Sequence, residues 1–201
     1  MSDFTKEQFL AFWGKQGYKE TFDGYEKNWT PEIINMVRSC VDGTSIVLEI
    51  GCGAGYWTNQ IAPLCGQMYA IDLIPRPQLN SKVTYIENEN HQFNCNVIPS
   101  ESIDFVFSFG VFCHLSLSAC EEYLQDILRI LKPNGKALLM YGDEAGLQRH
   151  FKNNALTCES VGWKYNTFEE TMKMMSKYPV STTKMLEYRD TLLLLTKHSF
   201  E

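Results

Sequence analysis

The stretch VLEIGCGAGYWT, residues 47–58, sets three glycines into five positions directly behind an apolar, β-branched run. A strand that runs into a glycine turn and then a helix places that turn at the carboxyl end of the strand, where open parallel sheets bind ligands. A dinucleotide fingerprint requires GxGxxG, but Gly51-Cys52-Gly53-Ala54-Gly55-Tyr56 puts a bulky tyrosine where the third glycine belongs. A phosphate-cradling P-loop ends in Gly-Lys-Ser/Thr, and the turn holds no lysine. Glu49, two residues before Gly51, would repel a pyrophosphate yet suits a ligand's ammonium group. Asp72, 21 residues after Gly51, stands where a carboxylate accepts both hydroxyls of a ribose. The turn therefore suits a ligand made of ribose, adenine and an amino acid without phosphate.

Outward from the turn the chain alternates strand and helix patterns. Ser45 to Ile50 is the first strand, and a helix from about Tyr56 stops near Pro63 to Gly66. Gln67 to Ile71, Lys82 to Glu87 and Ser102 to Ser108 read as three further short strands, the first of them ending at Asp72. Cys120, Leu124, Ile127, Leu128 and Leu131 recur at helical spacing behind a cap at Ser116 or Ser118, the latter forming a capping box with Glu121. Pro133-Asn134-Gly135 ends that helix and Lys136 to Tyr141 is a fifth strand. Such alternation implies right-handed βαβ units, a mostly parallel sheet and helices on both faces.

Upstream, Thr30-Pro31 has the form of an N-cap followed by proline at the first helical position, opening a helix to about Val41. Downstream, a helix is expected from Thr167 to Lys177. Thr183 to Tyr188 and Asp190 to Lys197 are joined through Arg189 alone, too short for a parallel crossover, so they form an antiparallel edge hairpin. No linker, repeat or charge block divides the 201 residues, so one domain is expected. Its parts are a helical lid or cap over 1–42, a ligand-binding core over 43–141, and a substrate-side insertion with the edge hairpin over 142–201.

These features together resemble the class I S-adenosylmethionine-dependent methyltransferases. The glycine turn, YAIDL at 69–73, SIDFVFSFGVFCHL at 102–115 and ILRILKPNGKALLMY at 127–141 follow the family's successive motifs in order. The resemblance implies a Rossmann-like seven-stranded α/β sheet with an antiparallel last strand, and S-adenosyl-L-methionine as cofactor, leaving S-adenosyl-L-homocysteine as product. It implies a cofactor site built from Glu49, Gly51, Cys52, Gly53, Gly55, Trp57, Asp72, Leu73, Glu89, Asn90, Ser108 and Phe109. In that site the glycine turn meets the methionine part, Asp72 the ribose and Leu73 the adenine. Glu89-Asn90 corresponds to the adenine amine site, although the family more often has Asp followed by a small residue there. Ser108-Phe109 line the route to the transferred methyl.

Methyl transfer is an in-line displacement, helped chiefly by alignment of donor and acceptor. A base is required only for an acceptor such as an alcohol. His114, six residues beyond Ser108, is the candidate base; its other reading is a loop-closing residue that bonds locally. Trp13, Tyr25 and Trp29 in the aromatic N-terminal segment, and Arg149 and Trp163 after the fifth strand, are candidates for a lid and substrate surface. Aromatic faces with a few cations suit a small polar molecule or glycan. The same aromatics equally suit packing of the first helices onto the sheet.

The composition argues against several classes. A net charge of −6 with pI near 5.3 carries no footprint for nucleic acid or anionic lipid, and the apolar runs are too short to span a membrane. Seven cysteines, scattered and without a CxxC pair, suggest neither a disulfide framework nor a zinc knuckle, and fit a reducing cytoplasmic compartment. No histidine has a partner at metal-ligand spacing, so no metal is expected. No Asn/Asp-Pro-Pro-aromatic motif of DNA amino-methylating enzymes occurs. A non-catalytic adaptor on the same fold, and less readily a nicotinamide oxidoreductase, are the competing readings. The acceptor and the oligomeric state are not written in the sequence.

Overall fold

The computed structural model describes residues 25–73, 81–88, 95–143, 145–146, 164, 166–187 and 190–199, together with 7 and 11. In chain order the elements are α1 (Tyr25–Arg38), β1 (Ile46–Ile50), α2 (Tyr56–Ile61), β2 (Gln67–Asp72), β3 (Val83–Glu87) and β4 (Ile103–Ser108). They continue with α3 (Leu117–Ile130), β5 (Leu131–Gly142), α4 (Phe168–Met175), β6 (Val180–Glu187) and β7 (Asp190–Lys197). Single 3₁₀ turns follow α2 at Ala62–Leu64 and β4 at Phe112–His114.

The seven strands form one sheet in the order β3-β2-β1-β4-β5-β7-β6. Strands β1 to β5 pair in parallel, whereas β7 runs antiparallel to both β5 and β6. The hairpin lies at the sheet edge as expected, with the last strand inserted between β5 and β6. Lys197 Nζ donates to the Leu131 carbonyl at 2.7 Å, tying the end of β7 to the start of β5. The strand order reverses at β1, whose neighbours are β2 and β4.

Alternation along the strands divides the core between two faces. Val47, Met68, Phe105, Phe107 and Leu138 pack with Ile33 and Val37 of α1 and with Trp57 and Ile61 of α2. Leu48, Ile71, Val106 and Leu139 face Leu124, Ile127 and Ile130 of α3 and Met174 and Met175 of α4. Burying one large aliphatic side chain contributes about 2 kcal/mol, so these two layers dominate the stability.

Local chemistry corrects three readings of the sequence. Thr30-Pro31 does not open α1: the helix starts at Tyr25 and contains Pro31, and the Thr30 hydroxyl meets the Tyr56 hydroxyl at 2.7 Å instead of capping. Ser116 rather than Ser118 caps α3, accepting from the Ala119 N–H. Glu121 forms no capping box because Lys177 Nζ and the Tyr178 hydroxyl donate to it, bracing α3 against the end of α4. Finally, α3 ends at Ile130 ahead of Pro133-Asn134-Gly135, which lies within β5; ladder pairing jumps from Ile103–Leu131 to Phe105–Lys136 around Asn134 at φ 61°. α4 carries a complete capping box, with the Thr167 side chain accepting from the Glu170 N–H and Glu170 accepting from the Thr167 N–H.

Candidate active site

The glycine turn sits at the carboxyl end of β1, at the point where the strand order reverses. Gly51, Gly53 and Gly55 have φ of 77°, 51° and 86°, values that side-chain-bearing residues rarely take. The Gly51 and Cys52 N–H groups both donate to the Ile71 carbonyl, at 2.7 and 3.2 Å, and Gly55 N–H donates to Cys52 O at 2.8 Å. A Cβ at Gly51 would lie 2.1 Å from Val111 Cγ2. The turn is thus pressed between the end of β2 and the segment after β4.

Asp72, ending β2, takes the Gly53 N–H on Oδ2 at 2.7 Å. This bond orients the carboxylate at the mouth of the turn while the side chain remains half-exposed. Leu73 follows it, also half-exposed. Glu49 lies behind the turn on β1 and is 1% exposed, accepting from the Thr58 hydroxyl of α2 at 2.5 Å. Burial pushes its carboxyl up to about 8, Thr58 pulls it down, and the neighbouring Asp72 charge pushes it further up. The raised value favours the protonated form of Glu49 near neutral pH.

On the β4 side, Ser108 is fully buried and donates to the Ile50 carbonyl at 3.0 Å, joining the ends of β4 and β1. Phe109 is half-buried and stacks on Trp57 with centroids 5.0 Å apart. Trp57 turns onto the sheet against Phe107, at 5.4 Å, so it underlies the turn. Its Nε1–H is buried without a hydrogen-bond partner. Cys52 is buried in the same layer. Gly110, at φ 77°, redirects the chain into the 3₁₀ turn that carries His114, which is 4% exposed and whose N–H donates to Val111 O.

The structure thus gathers Glu49, the glycines, Asp72, Ser108, Phe109 and His114 around the ends of β1, β2 and β4. Glu89, Asn90, Trp13, Arg149 and Trp163 lie outside the described residues, as do the side chains of Tyr25 and Trp29, whose backbones belong to α1. No cluster of three or more His, Cys, Asp or Glu able to hold a metal occurs among the described residues.

Two residues not expected from the sequence join the group. Asn88 follows β3, and its N–H donates to the Asp72 carbonyl at 2.7 Å. Its side chain bonds the Tyr123 hydroxyl while Oδ1 is buried without a partner. Asp143 follows β5, is 5% exposed and accepts from the Ala145 N–H at 3.2 Å. Position relative to the strand ends is the only signal in the sequence for either, since an isolated Asn or Asp after a strand ordinarily starts a turn.

Residues 48–139 match a family model described as a methyltransferase domain. Over these residues, which run from β1 into β5, the chain is similar to the methyltransferase domains. Among curated proteins, a phosphoethanolamine N-methyltransferase of Triticum aestivum is 30% identical over 117 residues, 55% of this chain and 23% of that protein. The chain therefore corresponds to about a quarter of that relative's length. Among solved structures, the N-methyltransferase NodS from Bradyrhizobium japonicum in complex with S-adenosyl-L-homocysteine superposes with a TM-score of 0.67 at 18% identity, covering 96% of this chain and 98% of that one. An O-methyltransferase family protein from Burkholderia thailandensis gives 0.69 at 14% identity, covering 98% of this chain and 64% of that one. At such identities the likeness establishes the fold and leaves the acceptor atom open.

Proposed function

We propose that the chain binds S-adenosylmethionine at the ends of β1, β2 and β3 and transfers its methyl to a hydroxyl or amine of a small molecule or glycan. The observation that carries this reading is the Gly53–Asp72 hydrogen bond at the strand-order reversal. It holds a carboxylate at the mouth of a turn that has no cation to offer a phosphate. The residues present fit the cofactor. The half-exposed Asp72 carboxylate, oriented by the Gly53 N–H, suits ribose hydroxyls, and the orphan Asn88 Oδ1 is an acceptor suited to an adenine amine. The cofactor supplies an electrophilic methyl on a sulfonium.

The remaining work falls to the chain. The turn, pinned by Ile71 and Val111, fixes the methionine end, and Phe109, backed by the buried Trp57, offers an apolar surface on the sulfonium side. Glu49 lies behind the turn as a latent anion that an arriving ammonium would ionise. His114, on the segment leaving β4, takes the proton that the acceptor gives up. Among the described residues six of the seven cysteines lie outside any disulfide, which suits a reducing, cytoplasmic setting.

Calorimetric titration with S-adenosylhomocysteine, with NADH as control, tests the cofactor. Saturable one-to-one binding of the former alone is expected, and folded protein that binds neither would favour the adaptor reading. His114→Ala should leave that affinity unchanged and lower turnover on the acceptor by roughly 100-fold. A loss of binding instead would make His114 a structural residue.

A further inference from the structure

We infer that Asp143 is the acceptor-binding residue and that it selects an amine, entering as an ammonium ion, over a hydroxyl. The inference rests on the methyltransferase reading and adds the substrate class. Asp143 stands immediately after β5, on the ligand side of the sheet, beside the segment that leaves β4. The contact is close: a Cβ on Gly142 would lie 3.2 Å from Cys113 Cα. One residue further along each chain stand Asp143 and His114. The Lys164 N–H donates to Cys113 O at 2.9 Å and Asn166 Nδ2 to Leu115 O at 3.0 Å, closing this corner from the α4 side.

Within it Asp143 is 95% buried by its 5% exposure, and a single backbone N–H, that of Ala145, bonds Oδ1. No cationic side chain pairs with it among the described residues, although Asp104, Glu101 and Glu121 each have a lysine. Carboxylates buried this deeply are ordinarily paired with a cation or protected by several donors, because removal from water is costly. A cation that the described residues do not offer, supplied by the substrate, completes the pair. A hydroxyl acceptor would bring the carboxyl no cation.

The chemistry balances on this arrangement. The ammonium nitrogen gives up one proton, through the His114 imidazole to solvent, and keeps an N–H on Asp143. Its freed lone pair then forms the N–C bond as the bond from methyl to sulfur breaks, leaving both electrons on sulfur. Positive charge thereby moves from sulfur to the methylated nitrogen, toward the Asp143 carboxylate, so the attraction grows along the reaction.

The test uses the full chain and two matched pairs of probes, ethanolamine against ethylene glycol and glucosamine against glucose. Each is titrated into S-adenosylhomocysteine-saturated protein and then offered with methyl-labelled S-adenosylmethionine. Asp143→Asn keeps the volume and the acceptor for Ala145 N–H while removing the charge. The expected result is that amines bind and are labelled on nitrogen while the alcohols are not. Asp143→Asn should weaken amine binding and raise the amine KM by about 10- to 100-fold, the worth of a hydrogen bond to a charged group, at unchanged S-adenosylhomocysteine affinity. Equal use of both members of a pair, labelling on oxygen, no transfer to any probe while S-adenosylhomocysteine binds, or an amine KM indifferent to Asp143→Asn would each overturn this inference and leave the cofactor reading standing. Failure of folded wild-type protein to bind S-adenosylhomocysteine would overturn both.

Discussion

Replacing Glu49 by glutamine isolates the most displaced carboxyl near the glycine turn. In the folded chain burial raises this group to about 8 from an ordinary 4.5. The folded state therefore keeps a proton that the unfolded chain loses above pH 4.5. Stability is complete below that value and declines as pH rises through 8, with a slope near 1.4 kcal/mol per pH unit for the one proton. Integrated over the whole window the loss is about 5 kcal/mol, a large share of the 5–15 kcal/mol typical of a domain. Glu49→Gln keeps the shape and an acceptor for the Thr58 hydroxyl, and it has no proton to lose. Urea unfolding at half-unit steps from pH 5.5 to 8.5 should show the variant gaining steadily on the wild type as pH rises toward 8 and levelling above it. Parallel profiles across this range would refute the claim that Glu49 is held protonated. The same proton is a signature of ligand binding. If a ligand's ammonium ionises Glu49, S-adenosylhomocysteine titrations at pH 7 in buffers of different ionisation enthalpy should report proton release from the wild type and none from the variant.

Gly51→Ala forces a methyl 2.1 Å from Val111 Cγ2 at a φ of 77°, so thermal unfolding should show a loss of about 2 kcal/mol or more and S-adenosylhomocysteine binding should vanish; retention of both would mean the turn is not clamped. Asp72→Ala removes the acceptor of the Gly53 N–H together with the proposed ribose contact, and calorimetry should find no binding in a protein whose near-ultraviolet circular dichroism is unchanged. Tyr141→Phe deletes a hydroxyl buried beside Phe112 with no hydrogen-bond partner. Chemical denaturation should find the variant as stable as the wild type or more so by about 1 kcal/mol, and a loss of that size would reveal a bond the hydroxyl makes.

The parallel half of the sheet was legible because each of its strands is a short apolar run punctuated by Gly, Asp or Ser, and local rules suffice for such patterns. The reading failed where tertiary partners outbid local ones. Thr30-Pro31 has every mark of a helix start, yet the Thr30 hydroxyl is engaged across the chain by Tyr56. Ser118 and Glu121 have the spacing of a capping box, but Lys177 and Tyr178, more than fifty residues away, take the carboxylate. At the candidate site, the place of the glycines, Glu49 and Asp72 at the strand ends was legible from spacing. Asn88 and Asp143 were not, since what marks them is an orphan oxygen and a buried carboxyl that no described cation meets, and both are properties of the packed chain.

The place of β7 has a consequence for how the molecule is made. A ribosome delivers β5 long before β7, so the Leu138 and Leu139 backbone waits as an open edge through the synthesis of the intervening forty-odd residues. β6 arrives in that interval with no strand to join, because its neighbour in the sheet is β7 rather than β5. Strands β1 to β4 and their helices can assemble early and shape the ligand mouth, while closure of the sheet awaits residues 190–197. A nascent chain stalled before them would hold a nearly formed site on an unfinished, adhesive sheet, which makes this edge a natural place for a chaperone to act.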